Sequence, residues 1–384
     1  MRRSSEHILV SHAGNLPRPE YLQEALAAGP AGQEEFTTRL PSAVTEVVRR
    51  QADLGIDIVN DGELSKIGGF SNYAGERLSG LQQRTSDIPP MNVSGRDRLD
   101  FPGFYAAGLG GFGAARRIPG TRPPDEAVFC TGPITYIGQA NVEADIRNIK
   151  AALQGLNVDG YLPAIAPGTI EHWLHNEHYA SQEEFLFAIA GAMHNEYKAI
   201  TDAGLILQVD DPDLPDAWQA FPDMSVADYR KYAEVRVEAL NHALRDVPQA
   251  QVRLHVCWGS GHGPHKHDLP LTDLVDLILK VNAEVYSIEA SNPRHDHEWR
   301  VWEQVKLPEG KSLMPGVVGH VTDLIEHPQL VADRLVRYAR IVGRENVQAG
   351  TDCGLGHRVG HGEIAWAKLE ALAQGARLAT KELW

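Results

Sequence analysis

The stretch SQEEFLFAIAGAMHNEYKAITDAGLILQVD (residues 181–210) decides the fold. Ser181 with Glu184 three residues later forms a capping box ahead of an apolar stripe, so a long helix is expected over Glu183–Ala203. It is followed at once by Leu205–Asp210, an apolar run ending on an acid, which reads as a buried strand. Working outward, the same unit recurs. Apolar runs at Ile8–His12, Ile56–Asp61, Val128–Thr131, Tyr161–Ala166, Val252–Trp258, Glu284–Ala290, Leu313–Val318 and Val347–Asp352 each end in polar or Gly/Pro residues. Helical periodicity fills gaps between them at Leu40–Leu54, Ser225–Leu244, Leu271–Val281 and Pro328–Val342. Alternating strand and helix predicts a parallel sheet, and so many repeats predict a closed α/β structure, a single (β/α)8 TIM-type barrel spanning residues 1–384. Nine strand candidates compete for eight places, so either Val128–Thr131 or Leu313–Val318 is expected to be peripheral. The stretch Gly68–Pro124 fits no such unit. Rich in Gly, Pro and Arg, with aromatics at Phe70, Tyr73, Phe101, Phe104, Tyr105 and Phe112, it reads as a long inserted excursion over one barrel end.

Composition narrows the function. The 384 residues are 43% hydrophobic, enough for a large core, and carry a formal charge of −15. No block of Lys and Arg is present to track a phosphate backbone, so no nucleic-acid partner is expected. No segment approaches the roughly 20 apolar residues of a membrane span. The start, MRRSSEHILVSH, reads as no signal peptide, and a soluble cytoplasmic protein is the expectation. Three cysteines, Cys130, Cys257 and Cys353, are too few and too scattered for a disulfide framework. Composition says nothing of the oligomeric state.

The chemistry gathers at strand ends. His255 and Cys257 are two residues apart on one strand and so point to the same side, presenting an imidazole and a thiol together, a pairing that suits zinc. Glu289 closes the run before it and Cys353 follows Val347–Asp352. In a parallel barrel such ends share one rim, where the fold places its reactive groups. A carboxylate ending an apolar strand requires a partner. His262, His265 and His267 follow in a Gly/Pro-rich segment and read as solvated loop histidines, while Cys130 reads as a small buried residue.

Six motifs in order carry a resemblance: Gly14–Pro17, Asp61-Gly62-Glu63, Gln208-Val209-Asp210-Asp211-Pro212, His255-x-Cys257, Ile288-Glu289-Ala290 and Asp352-Cys353-Gly354. From about His7 to about Leu355 the chain resembles the catalytic barrel of cobalamin-independent methionine synthase. The resemblance implies that His255, Cys257, Glu289 and Cys353 bind Zn2+. It implies that Glu63 and Asp210 receive the amino group of homocysteine, with Asn15 in the first turn at the substrate. It also implies that Trp173 lies near the pterin of a methyltetrahydrofolate co-substrate. Departures are visible. Asn15 stands where the family has Ser, Asp210-Asp211-Pro212 where Asp-Glu-Pro is usual, and the additional N-terminal barrel of full-length synthases is lacking. His320 follows Pro315-Gly316-Val317 one position earlier than the family's catalytic His.

The expected activity is methyl transfer from a methylfolate or other methylated donor to a small-molecule thiol such as homocysteine, through a zinc-bound thiolate. The departing amine or oxygen needs a proton, for which His320 is the first candidate and His172 the second. Another alkyl transfer on the same scaffold is the alternative. It would resemble epoxyalkane:coenzyme M transferases, with Arg18, Lys66 and Arg294 available to a sulfonate, or demethylation of a methoxy or methylthio compound. A noncatalytic zinc-bearing barrel is the third reading, and the wide spread of the ligands along the chain speaks against it.

Overall fold

The computed structural model describes residues 1–68, 70–87, 95–107, 126–259, 261–356 and 358–384. Strands in chain order are β1 (Leu9–Val10), β2 (Ile58–Asn60), β3 (Leu81–Thr85), β4 (Glu126–Cys130), β5 (Asp159–Ile165), β6 (His175–Asn176), β7 (Ile206–Asp210), β8 (Val252–Val256), β9 (Val285–Ile288), β10 (Ser312–Val318) and β11 (Gln348–Thr351). Eight of them form one sheet in the order β1-β11-β10-β9-β8-β7-β5-β2. Each of these eight is followed by a helical segment, which makes the fold a (β/α)8 TIM-type barrel. The two strands at the ends of that order are joined through their flanks. Asp57 N donates to Val10 O at 2.9 Å, and Val10 N to Asp57 Oδ2 at 2.8 Å.

Two compact units make up the chain. One comprises Met1–Lys66, Ala144–Pro163 and Glu284–Trp384. Its strands β9, β10 and β11 run parallel, with Ser312 opposite Val285 and Gly316 opposite Gly350. The helices Pro328–Val342 and Gly362–Leu383 pack against each other, burying Val331, Leu335, Leu369 and Leu372. Gly375 in this seam is required by close approach, because a Cβ there would lie 2.4 Å from Val331.

The other unit comprises Ile67–Glu143 and Ala164–Ala283. Its helix Gln182–Asp202 starts where the sequence places it, with Ser181 Oγ accepting from Glu184 N at 3.1 Å and Glu184 Oε2 accepting from Ala180 N at 3.2 Å. Val128–Thr131 proves to be the peripheral candidate. It forms β4 of a separate three-stranded sheet, β3-β4-β6, while Leu313–Val318 belongs to the barrel strand β10. The expected helix Leu271–Val281 is corrected: a 3-10 turn at Leu271–Asp273 is followed by a single helical turn at Val275–Ile278. Leu274 at φ −128° interrupts the helix, although Leu271, Leu274, Val275 and Ile278 are buried along the periodic stripe and Thr272, Asp276 and Lys280 face water.

The described part of the excursion is ordered structure: a helix Phe70–Arg77, strand β3, and short helices Gly95–Asp100 and Pro102–Ala106. Phe112 lies outside the described residues. A buried ion pair, Arg77 to Glu196 at 3.1 Å, ties it to the long helix, and the same carboxylate accepts from the Tyr73 and Tyr136 hydroxyls. Arg96 stacks on Trp218, its Cζ 3.4 Å from the ring centroid, and donates to the carbonyls of Trp218, Phe221 and Met224. Asp97 accepts from the amides of Lys266 and His267 at 3.3 and 3.0 Å. The excursion therefore grips the segments that follow β7 and β8.

Candidate metal and substrate centre

At the end of β8, His255 and Cys257 are both buried. Trp258, beyond them, is locked by its Nε1 donating to Leu269 O at 2.6 Å, which fixes the chain leaving the strand. Of the three histidines that follow, His262 is exposed. Two are not freely solvated as expected. His265 contacts Asp268 Oδ2 at 2.7 Å and Gly261 O at 2.9 Å, and His267 pairs with Asp100 at 2.8 Å. Cys130 is fully buried, as its reading as a packing residue requires.

Asp210, at the end of β7, is oriented by a relay: Arg253 Nε donates to Gln208 Oε1 at 2.7 Å, and Gln208 Nε2 to Asp210 Oδ1 at 2.7 Å. Trp173 donates its Nε1 to Asp213 Oδ2 at 3.1 Å. The other oxygen of Asp213 lies 3.1 Å from His172 Nδ1, at ion-pair distance but without hydrogen-bond alignment. Asp213 therefore joins two of the expected site residues, a role invisible before folding. Asp211 beside it accepts from Thr169 Oγ1 at 2.9 Å, and burial pushes its carboxyl up to about 7.

In the other unit the turns after β1, β2 and β11 are laced together. Gly62 and Glu63 adopt positive φ, +70° and +54°, with Asn60 Oδ1 accepting from Gly62 N and Asp61 Oδ1 from Glu63 N. Asn15 also braces this turn. Its carbonyl accepts from Leu355 N and Gly356 N, and its Oδ1 accepts from Gly356 N at 2.9 Å. Arg18 is buried and spends its guanidinium on the carbonyls of Glu63, Leu64 and Lys66. Desolvation brings it down to about 10. Lys66 donates to Pro163 O. Two of the three cations considered for a sulfonate are thus engaged by backbone.

His255 and Cys257 each offer one ligand atom, the two within 4.8 Å of each other, and Cys353 follows β11 in the other unit. Glu289 falls in a second group at the same spacing, with His320 and Asp352, all three buried. Asn292 Nδ2 donates to Glu289 Oε1 at 3.1 Å. Asp352, the residue before Cys353, accepts from the amides of Ala290 and Ser291, each at 2.9 Å, and from Ser291 Oγ at 2.5 Å. It clamps the segment after Glu289. Burial, and then the Glu289 charge, push its carboxyl up to about 7.

A family profile described as the catalytic domain of cobalamin-independent synthase matches residues 130–377, more than half of the chain. The chain belongs to that family. Relatives named methionine synthase include one from Sulfurisphaera tokodaii, 24% identical over 96% of this chain and 92% of its own length. Another is from Sulfolobus acidocaldarius, 25% identical over 96% and 91%. A B12-independent methionine synthase from a Shewanella species, solved in complex with selenomethionine, superposes with a TM-score of 0.74 at 22% identity over 98% of this chain and 99% of that one. The fold is shared with that structure, and the chain is an enzyme of the methionine synthase family of methyltransferases.

Proposed function

We propose that this member of the cobalamin-independent synthase family transfers a methyl group from a methylfolate or another methylated donor to a thiol such as homocysteine, with zinc held by His255, Cys257, Glu289 and Cys353. What supports the reading is the buried pairing of an imidazole and a thiol within 4.8 Å at the end of β8, together with the buried group of Glu289, His320 and Asp352 at the same spacing beside Cys353. That donor set fits zinc, which favours thiolate and imidazole ligands and takes a carboxylate as a fourth. Zinc held by these residues would supply the positive charge that favours a thiolate over a thiol near neutral pH, where a free thiol with a pKa of about 8.5 is mostly protonated.

The protein supplies the rest. Glu63 and Asp210 offer carboxylates to an ammonium group, and the relay from Arg253 through Gln208 fixes the direction of the second. Trp173, its indole oriented by Asp213, offers a flat apolar face to an aromatic donor. The leaving group requires a proton, which His320 delivers in the first assignment and His172 in the second. Burial beside Glu289 and Asp352 fits His320 for this, and the adjacent Asp213 carboxylate fits His172.

The test incubates zinc-loaded protein with homocysteine, coenzyme M and glutathione against methylfolate, epoxide and methoxyarene donors, with product masses recorded. Methionine from methylfolate is expected. Thioether formation from an epoxide would replace this reading with the alternative alkyl transfer. His320→Asn and His172→Asn, assayed side by side, identify the acid as the one whose loss lowers kcat by about 100-fold or more.

A further inference from the structure

A cavity of about 530 Å³ opens beside the helix Pro328–Val342, reaching Ser291 of the segment after Glu289, and Arg300, Arg334 and Arg337 line it together with Trp299 and Asp296. We infer that it binds a small polyanion of the phosphate class. Three guanidiniums share the cavity with one carboxylate, in a chain whose net charge is −15. That carboxylate, Asp296, is taken by Arg334, whose Nε lies 3.2 Å from Asp296 Oδ1. Among the described residues no carboxylate pairs with Arg300 or Arg337. Like charges repel, so gathering them without counter-charge is favoured when an anion occupies the space between them.

The arginines are also held in place before any ligand arrives. Arg334 is 13% exposed and donates Nη1 to Val317 O at 3.0 Å. Arg300 and Arg337 each lie with Cζ 5.0 Å from the Trp299 ring centroid, anchored by the same indole. Guanidiniums with restricted side chains lose little freedom on forming paired hydrogen bonds to phosphate oxygens, and arginine's planar fork matches that geometry. The cavity is large enough for a diphosphate and open enough to admit one attached to a larger molecule.

Isothermal titration calorimetry with inorganic pyrophosphate, repeated with tricarballylate as a polycarboxylate, tests the inference. Saturable one-to-one binding of pyrophosphate is expected, weakened by about tenfold or more in the double variant R300Q/R337Q. Raising the salt concentration should weaken it further. The charge-retaining R300K/R337K variant should bind with intermediate affinity, and it supplies the comparison if the glutamine variant fails to fold. No saturable binding, or unchanged binding in the variants, overturns the site. Tighter binding of tricarballylate than of pyrophosphate overturns the phosphate class. None of these readouts depends on the metal or on methyl transfer.

Discussion

Replacing Asp352 by Ala should be among the most damaging single changes outside the hydrophobic core. Its carboxylate is the acceptor for three buried donors, the amides of Ala290 and Ser291 and the Ser291 hydroxyl. Leaving a buried donor without a partner costs about 1–3 kcal/mol. The hydroxyl can rotate toward another acceptor, but the two amides are fixed by the chain. The loss is therefore about 2–6 kcal/mol, a large share of the ~5–15 kcal/mol that holds a typical protein folded. Asp352→Asn keeps Oδ1 for both amides and should cost about 1 kcal/mol. Urea unfolding of metal-stripped protein separates this from any stabilisation by bound zinc. Hydrogen exchange localises it: the Ala290 and Ser291 amides should exchange faster in the Ala variant and near the native rate in the Asn variant. If the Ala variant unfolds within about 1 kcal/mol of the native protein, or those two amides keep their protection, the clamp does not hold the segment after Glu289 and the argument fails.

Gly14→Ala would force a side chain onto φ +109°, with its Cβ 3.1 Å from the Gly354 backbone and 3.4 Å from Glu63 Oε1. A loss of about 1–2 kcal/mol from the backbone alone is expected, with a raised KM for the thiol amino acid, read by urea titration and steady-state kinetics. Cys353→Ser should lower zinc affinity by more than about 100-fold in a chelator competition, while Cys130→Ser, buried away from any ligand group, should leave zinc stoichiometry unchanged. Asp61 is fully buried and its carboxyl is raised above the ordinary range by desolvation, opposed by Lys66. The folded protein therefore holds this proton more tightly than the unfolded chain, so stability falls as pH rises from about 4 toward the raised value. Asp61→Asn, which keeps the acceptor for Glu63 N, should gain stability relative to the native protein as pH rises across that window; a difference independent of pH would refute the assignment.

The barrel was legible because each of its strands is an apolar run that must be covered on both faces, and the capping chemistry at Ser181 fixes where a helix begins. The strand ends were legible for the same reason: His255, Glu289 and Cys353 are residue types that apolar packing does not explain. Their partners were not. Asp213 and Asp352 act through contacts made by chain segments that converge only on folding, and no local pattern announces an acid that accepts from a tryptophan 40 residues away. The difference at Leu271–Val281 lies in the backbone: the stripe is present, with Thr272, Asp276 and Lys280 facing water, yet Leu274 at φ −128° breaks the helix.

Asn15 illustrates what sequence resemblance leaves open. Its side chain and carbonyl hold Leu355 and Gly356, the residues just past Cys353, while Leu16 N donates to Gly62 O beside Glu63. A residue placed at the substrate by analogy is thus also a strut between the turn that carries Glu63 and the turn that carries Cys353. A serine at position 15 would keep the backbone bonds but reach less far than the amide oxygen, so an exchange between Ser and Asn here changes how those two turns are braced as well as what faces the substrate. On the proposed function, the group at position 15 and the spacing it imposes would both bear on the acceptor, and comparing Asn15→Ser with Asn15→Ala in the thiol assay separates the two contributions.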